Sequence, residues 1–124
     1  MSYKKLEIWI LANELVLEIH KMALGLPKFE MYEEGSQIRR SSKNVKATIV
    51  EGYGRKIYKA EYLKFLVYSL ASNDETKDHL ENLYFTKSLQ DEELYNRLST
   101  KIEKLGKKIR NFYGSVERNH KPSL

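Results

Sequence analysis

The sequence predicts an all-α protein, an antiparallel up-down-up-down four-helix bundle. Three observations point there. Four long stretches carry apolar residues at alternating three- and four-residue spacing, the mark of helices with one buried face. No stretch shows the two-residue alternation of a half-buried strand. The connections between stretches are short, which sets consecutive helices antiparallel. The 124 residues suit a single domain, 1–124, large enough to bury a core without disulfides.

The first helix is expected over about 3–24. Leu6, Ile10, Asn13, Leu17, His20 and Leu24 repeat at four- and three-residue steps, the seam of a packed helix. Ile8, Leu11, Leu15, Ile19 and Met22 form a second stripe beside it. This face is wider than one core requires, so its surplus, Trp9 included, is expected to bury against another copy of the chain. Gly25 and Pro27 suit the end of this helix and the start of the next.

The second helix is expected over about 28–53, with Glu30, Glu33 and Glu34 at the end of the helix dipole that favours carboxylates. Ile38, Ser42, Val45, Ile49 and Gly52 form an apolar or small stripe, and Gln37, Ser41, Asn44, Thr48, Glu51 and Arg55 a polar one beside it. The third helix, about 59–88, sets Leu63, Leu66, Leu70, Leu80 and Tyr84 beside Phe65, Ser69, Ser72, Thr76, His79 and Leu83. Its small polar residues are expected to face the polar stripe of the second helix. The fourth, about 92–113, carries the cleanest seam: Leu94, Leu98, Ile102, Leu105, Ile109, Phe112 and Val116. The tail, 114–124, is expected to fray.

Few chemistries fit. With no cysteine there is no thiolate metal site, disulfide or cysteine nucleophile. A di-iron bundle needs a Glu-x-x-His on each of two helices, and the sequence does not supply the pair; Glu75 and His79 are four apart. Gly52-Tyr53-Gly54-Arg55-Lys56 has neither the spacing nor the preceding strand of a phosphate loop. No enzyme activity, cofactor or metal is therefore expected; a bundle-type enzyme or metal protein is the alternative. No apolar window of about 20 residues spans a membrane, and no targeting signal is read, so a cytoplasmic protein is expected.

Charge is more informative. Lys and Arg number 22 against 17 Asp and Glu, a net of +5. Between 36 and 59 lie Arg39, Arg40, Lys43, Lys46, Arg55, Lys56 and Lys59 against Glu51 alone, with Tyr58 among them. Basic side chains with interleaved aromatics suit phosphates and stacked bases. These seven cations, with Tyr58 as a stacking residue, are the expected RNA contacts.

The run Gln37-Ile38-Arg39-Arg40-Ser41-Ser42, followed by Val45, Ile49 and Glu51-Gly52-Tyr53-Gly54-Arg55, resembles the second helix of a bacterial family. These are the four-helix-bundle proteins encoded by intervening sequences within 23S ribosomal RNA genes. Tyr62, Phe65-Leu66, Ser72 and Glu75 fit its third helix, and Leu6-x-x-Trp9 and Leu26-Pro27-x-Phe29-Glu30 fit its start. The resemblance implies a ring-shaped homopentamer with no enzyme activity and with ribosomal or other structured RNA as partner. A related bundle is an accessory factor to a reverse transcriptase, which makes such an enzyme the alternative partner; a purely structural assembly module is a further alternative. Asn44, Thr48, Val50 and Ala71 depart from the family pattern, so the polar seam is expected to be wired differently here.

That seam comprises Gln37, Arg39, Arg40, Asn44, Thr48, Glu51, Arg55, Glu75 and His79. With the turn centred near Ile57, facing residues have numbers summing to about 115. Arg40 then lies near Glu75, Gln37 near His79, and Thr48 near Leu66 or Ser69. Glu75 is expected to pair with Arg39 or Arg40, and Glu51 with Arg55 or a polar group of a neighbouring chain.

Overall fold

The computed structural model describes residues 2–121. Among them, helices account for all the regular structure. A 3-10 turn, Tyr3–Lys5, leads into α1, Glu7–Leu24. Then follow α2, Lys28–Tyr32; α3, Glu34–Gly54; α4, Lys59–Phe85; and α5, Glu92–Asn119. Four of these are long, as the periodicity predicts. No helix among the described residues is long and apolar enough to cross a membrane.

The expected second helix is broken into α2 and α3. Glu33 leaves helical geometry (φ −100°, ψ −104°). The break is permitted two residues on: a Cβ on Gly35 would lie 2.9 Å from the Glu30 carbonyl oxygen and 3.2 Å from Leu26 Cδ1. Only glycine lets the start of α3 close onto the preceding turn. The Glu34 amide exposed by the break donates to Glu30 Oε1 at 3.2 Å.

The last helix runs past its expected end at 113. The heptad continues to Val116, which is buried, and this contact holds residues 114–119 in the helix instead of leaving them frayed. Residues 122–124 of the expected tail lie outside the described residues. Asp91 caps α5, its Oδ1 accepting from the Leu94 amide at 3.1 Å.

Each long helix sends its apolar stripe into one core: Ile8, Leu15 and Ile19 from α1; Ile38, Val45 and Ile49 from α3; Leu66, Leu80 and Leu83 from α4; Leu98, Ile102, Leu105 and Ile109 from α5. Burying each such side chain contributes about 1.5–3 kcal/mol. α1 touches α3 and α5, and α4 touches the same two. Contacting residue numbers fall on one helix as they rise on the next, from Ser41–Thr76 to Thr48–Ser69 between α3 and α4 and from Asn73–Ile102 to Tyr84–Tyr95 between α4 and α5.

On α1 the core takes the second stripe rather than the seam read first. Ile10, Leu17 and Leu24 are 41%, 62% and 58% exposed, and His20 is exposed with them. Trp9 is not surplus: it packs edge-on against Tyr3 at 5.7 Å and lies under the Lys46 ammonium.

Candidate nucleic-acid interface

The α3–α4 contact is polar, as the two stripes predict. Ser41 Oγ and Thr76 Oγ1 lie 2.8 Å apart, and Thr48 Oγ1 and Ser69 Oγ 2.6 Å apart. Asn44 Nδ2 donates to Ser72 Oγ at 2.6 Å. Small side chains make these contacts possible because they let the two backbones approach. Gly52 lies at a close approach of this kind, where an added Cβ would meet Phe65 Cβ at 3.0 Å. Thr48 meets Ser69, one of its two expected partners. The register nevertheless runs about two residues further along α4 than the hairpin estimate, because Ser41 faces Thr76.

The offset rewires the expected ion pairs. Neither Arg39 nor Arg40 forms a salt bridge to Glu75, whose carboxylate instead bonds His79 Nε2 at 3.1 Å on its own helix. His79 Nδ1 reaches Glu34 Oε1 at 2.8 Å, so its partner on α3 is Glu34 rather than Gln37. Asn82 Nδ2 donates to the same Glu34 oxygen at 2.9 Å. Burial alone disfavours the charged ring, but the bonds to Glu34 and Glu75 outweigh it and hold the His79 pKa above its ordinary value. Glu51 does not pair through its carboxylate with Arg55; the guanidinium donates to the Glu51 backbone oxygen at 3.1 Å.

The structure divides the expected basic set. Arg40 and Lys43 are exposed and line a groove of about 400 Å³ with Asn44, Ser72 and Glu75, along the outer edge of the polar seam. Arg55, Lys56, Tyr58 and Lys59 gather at the hairpin end, roughly 18 Å from Lys43 along the helix axis at 1.5 Å per residue. There the Arg55 guanidinium lies 4.4 Å from the Phe65 ring centre, Lys56 lies 4.0 Å over Tyr53, and Tyr58 is exposed. Two members face elsewhere. Lys46 donates to Asn13 Oδ1 on α1 at 3.0 Å, and Arg39 folds in beside Gly35 with Nη1 buried and without a hydrogen-bond partner.

A family model described as the 23S rRNA-intervening sequence protein matches residues 4–111. The chain belongs to this family. No curated protein matches the chain. The matched span takes in α1 through α4 and most of α5, so the polar seam, the groove and the hairpin end all lie within the family's shared extent.

The carboxylates are distributed unevenly around the molecule. Glu18 takes both Arg97, at 3.2 Å, and Lys101; Glu7 takes Lys108 at 2.8 Å; Glu103 takes Lys77 at 2.7 Å. Arg40, Lys43, Lys46, Arg55, Lys56 and Lys59 have no ion pair among the described residues. No group of three or more carboxylates and imidazoles among them is arranged to hold a metal. Asn73 was not among the residues that the sequence singled out. It is buried, donates to the Ile102 carbonyl oxygen at 2.9 Å and fits because Gly106 opposite has no side chain. A glycine in the middle of a strongly amphipathic helix was the signal for it.

Proposed function

We propose that this family member is a non-enzymatic cytoplasmic protein, an up-down-up-down four-helix bundle that assembles into a ring-shaped homopentamer and binds structured RNA. The observation that supports the RNA reading is the run of unpaired cations along α3 and at its hairpin end. Arg97, Lys101 and Lys108 of α5 and Lys77 of α4 meet carboxylates, whereas Arg40 and Lys43, exposed, and Lys59, half-buried, have none among the described residues. Unneutralised cations beside exposed polar groups and Tyr58 suit phosphates and an unstacked base. The assembly reading rests on Ile10, Leu17 and Leu24, exposed at seven-residue spacing along α1. The number five and the ring come from the family resemblance, a ring being what head-to-tail contacts form when the rotation between subunits closes.

The RNA test is a gel shift with structured ribosomal RNA, titrated with salt. Affinity should fall linearly on logarithmic axes with a slope of roughly −0.7 to −0.9 per engaged phosphate. The triple variant Arg40→Glu, Lys43→Glu, Lys59→Glu should abolish the shift while leaving the circular dichroism unchanged. Lys46 and Arg39 are left intact because both pack within the fold. RNA affinity unaltered in the triple variant would remove this surface from consideration.

A further inference from the structure

We propose that the cleft where α1 ends and α5 begins binds a small anionic amphiphile, an apolar chain ending in a carboxylate. The cleft encloses about 860 Å³, within the range of small-molecule sites. Its walls divide by chemistry. Met22, Leu26 and Leu89 are buried core residues that present one side to it, and the half-buried Leu94 continues this apolar lining. Charges ring the mouth, three cations (Lys21, Lys87, Arg97) against two carboxylates: Glu18, which holds Arg97 and Lys101, and Asp91, which caps α5 and keeps its charge. Lys21 and Lys87 are exposed at the same mouth and have no ion-pair partner among the described residues. The net charge over an apolar floor is therefore positive.

The backbone at Lys87 adds a second, independent observation. It has φ 67°, alone among the non-glycine residues described in being left-handed. It follows the C-cap of α4, donating to the Tyr84 carbonyl oxygen at 3.0 Å, at the position where helices favour glycine. A lysine there carries a conformational cost that glycine avoids, and its side chain stands at the cleft. Strained residues of this kind concentrate at ligand-binding positions. An ammonium at each edge fits one anionic head, and the floor fits the chain behind it.

The test is calorimetric titration of the full chain with decanoate, held below its micelle concentration, alongside decanol and decyltrimethylammonium. Decanoate should bind saturably, one per chain, at least tenfold tighter than either control. Lys87→Gly removes the ammonium while relaxing the backbone, and Lys21→Gln removes the other; each should weaken decanoate several-fold, and the pair at least tenfold. Lys5→Gln, on the N-terminal 3-10 turn, should change nothing. Equal affinity for decanol, or full decanoate affinity in the double variant, overturns the proposal. A parallel arm uses phosphatidylglycerol vesicles: binding to vesicles without binding to dispersed decanoate would assign the cations to a lipid surface and also overturn it.

Discussion

Gly35 sits where the α2–α3 break folds the chain back on itself, and its hydrogen is the only side chain the site accepts. Gly35→Ala should destabilise the protein by about 1–3 kcal/mol through overpacking, read as a lower urea midpoint. Lys87→Gly should act in the opposite direction, raising stability by about 1 kcal/mol as the left-handed strain is released. His79 provides a pH-dependent contribution. Its folded pKa is raised above the ordinary value near 6.5, so its bonds to Glu34 and Glu75 stabilise fully below about pH 6.5. That contribution is lost as pH rises through the raised value. The stability difference between the parent and His79→Gln should therefore shrink from pH 6 to pH 8.5 in urea titrations. Glu34 is the more enclosed partner, its side chain 23% exposed against 56% for Glu75. Glu34→Ala should consequently cost more than Glu75→Ala. The sequence showed that His79 and Glu75 belonged to one polar stripe but not that they would bond each other. Their partners depended on a two-residue register, which side-chain periodicity alone leaves open.

Between elements, the polar α3–α4 contact was legible because both helices carry small hydroxyl residues at matching spacing. The apolar interiors of α3 and α5 were legible for the same reason. The core face of α1 was not, since two apolar stripes run side by side there and periodicity does not rank them. The broken second helix was also hidden: Gly35 and three glutamates look like an ordinary helix start until the Glu30 carbonyl is seen against Gly35. A double-mutant cycle tests the seam. Thr48→Val and Ser69→Ala each remove one side of the 2.6 Å contact. Their coupling energy should be about 0.5–1.5 kcal/mol in favour of the parent pair. A coupling of zero would make the contact one of proximity alone.

For the whole molecule, one fact organises the remaining expectations: the described chain closes its core without using Ile10, Leu17 and Leu24. A charge at the centre of that stripe, Leu17→Glu, should leave the fold intact because Leu17 is 62% exposed. It should lower the sedimentation coefficient at micromolar concentration from that of an oligomer to that of a monomer. A parent protein that already sediments as a monomer would remove α1 as an assembly surface. The basic groove was legible only as a charge excess. Which cations remain free is a property of the fold, because Glu7, Glu18 and Glu103 reach α4 and α5 cations far away in sequence.

Four of the hydroxyls between α3 and α4 have a second acceptor on their own helix. Ser41 bonds the Ile38 carbonyl oxygen, Thr48 that of Asn44, Ser69 that of Phe65 and Thr76 that of Ser72. When the two helices part, these groups fall back on local acceptors and none is orphaned. The apolar residues beside them, Ile38, Val45 and Ile49 on α3 and Leu66 and Leu80 on α4, have no such refuge, since water would meet bare hydrocarbon. The bonds across the contact therefore set how the two helices align, while none of these four hydroxyls depends on that contact for a partner.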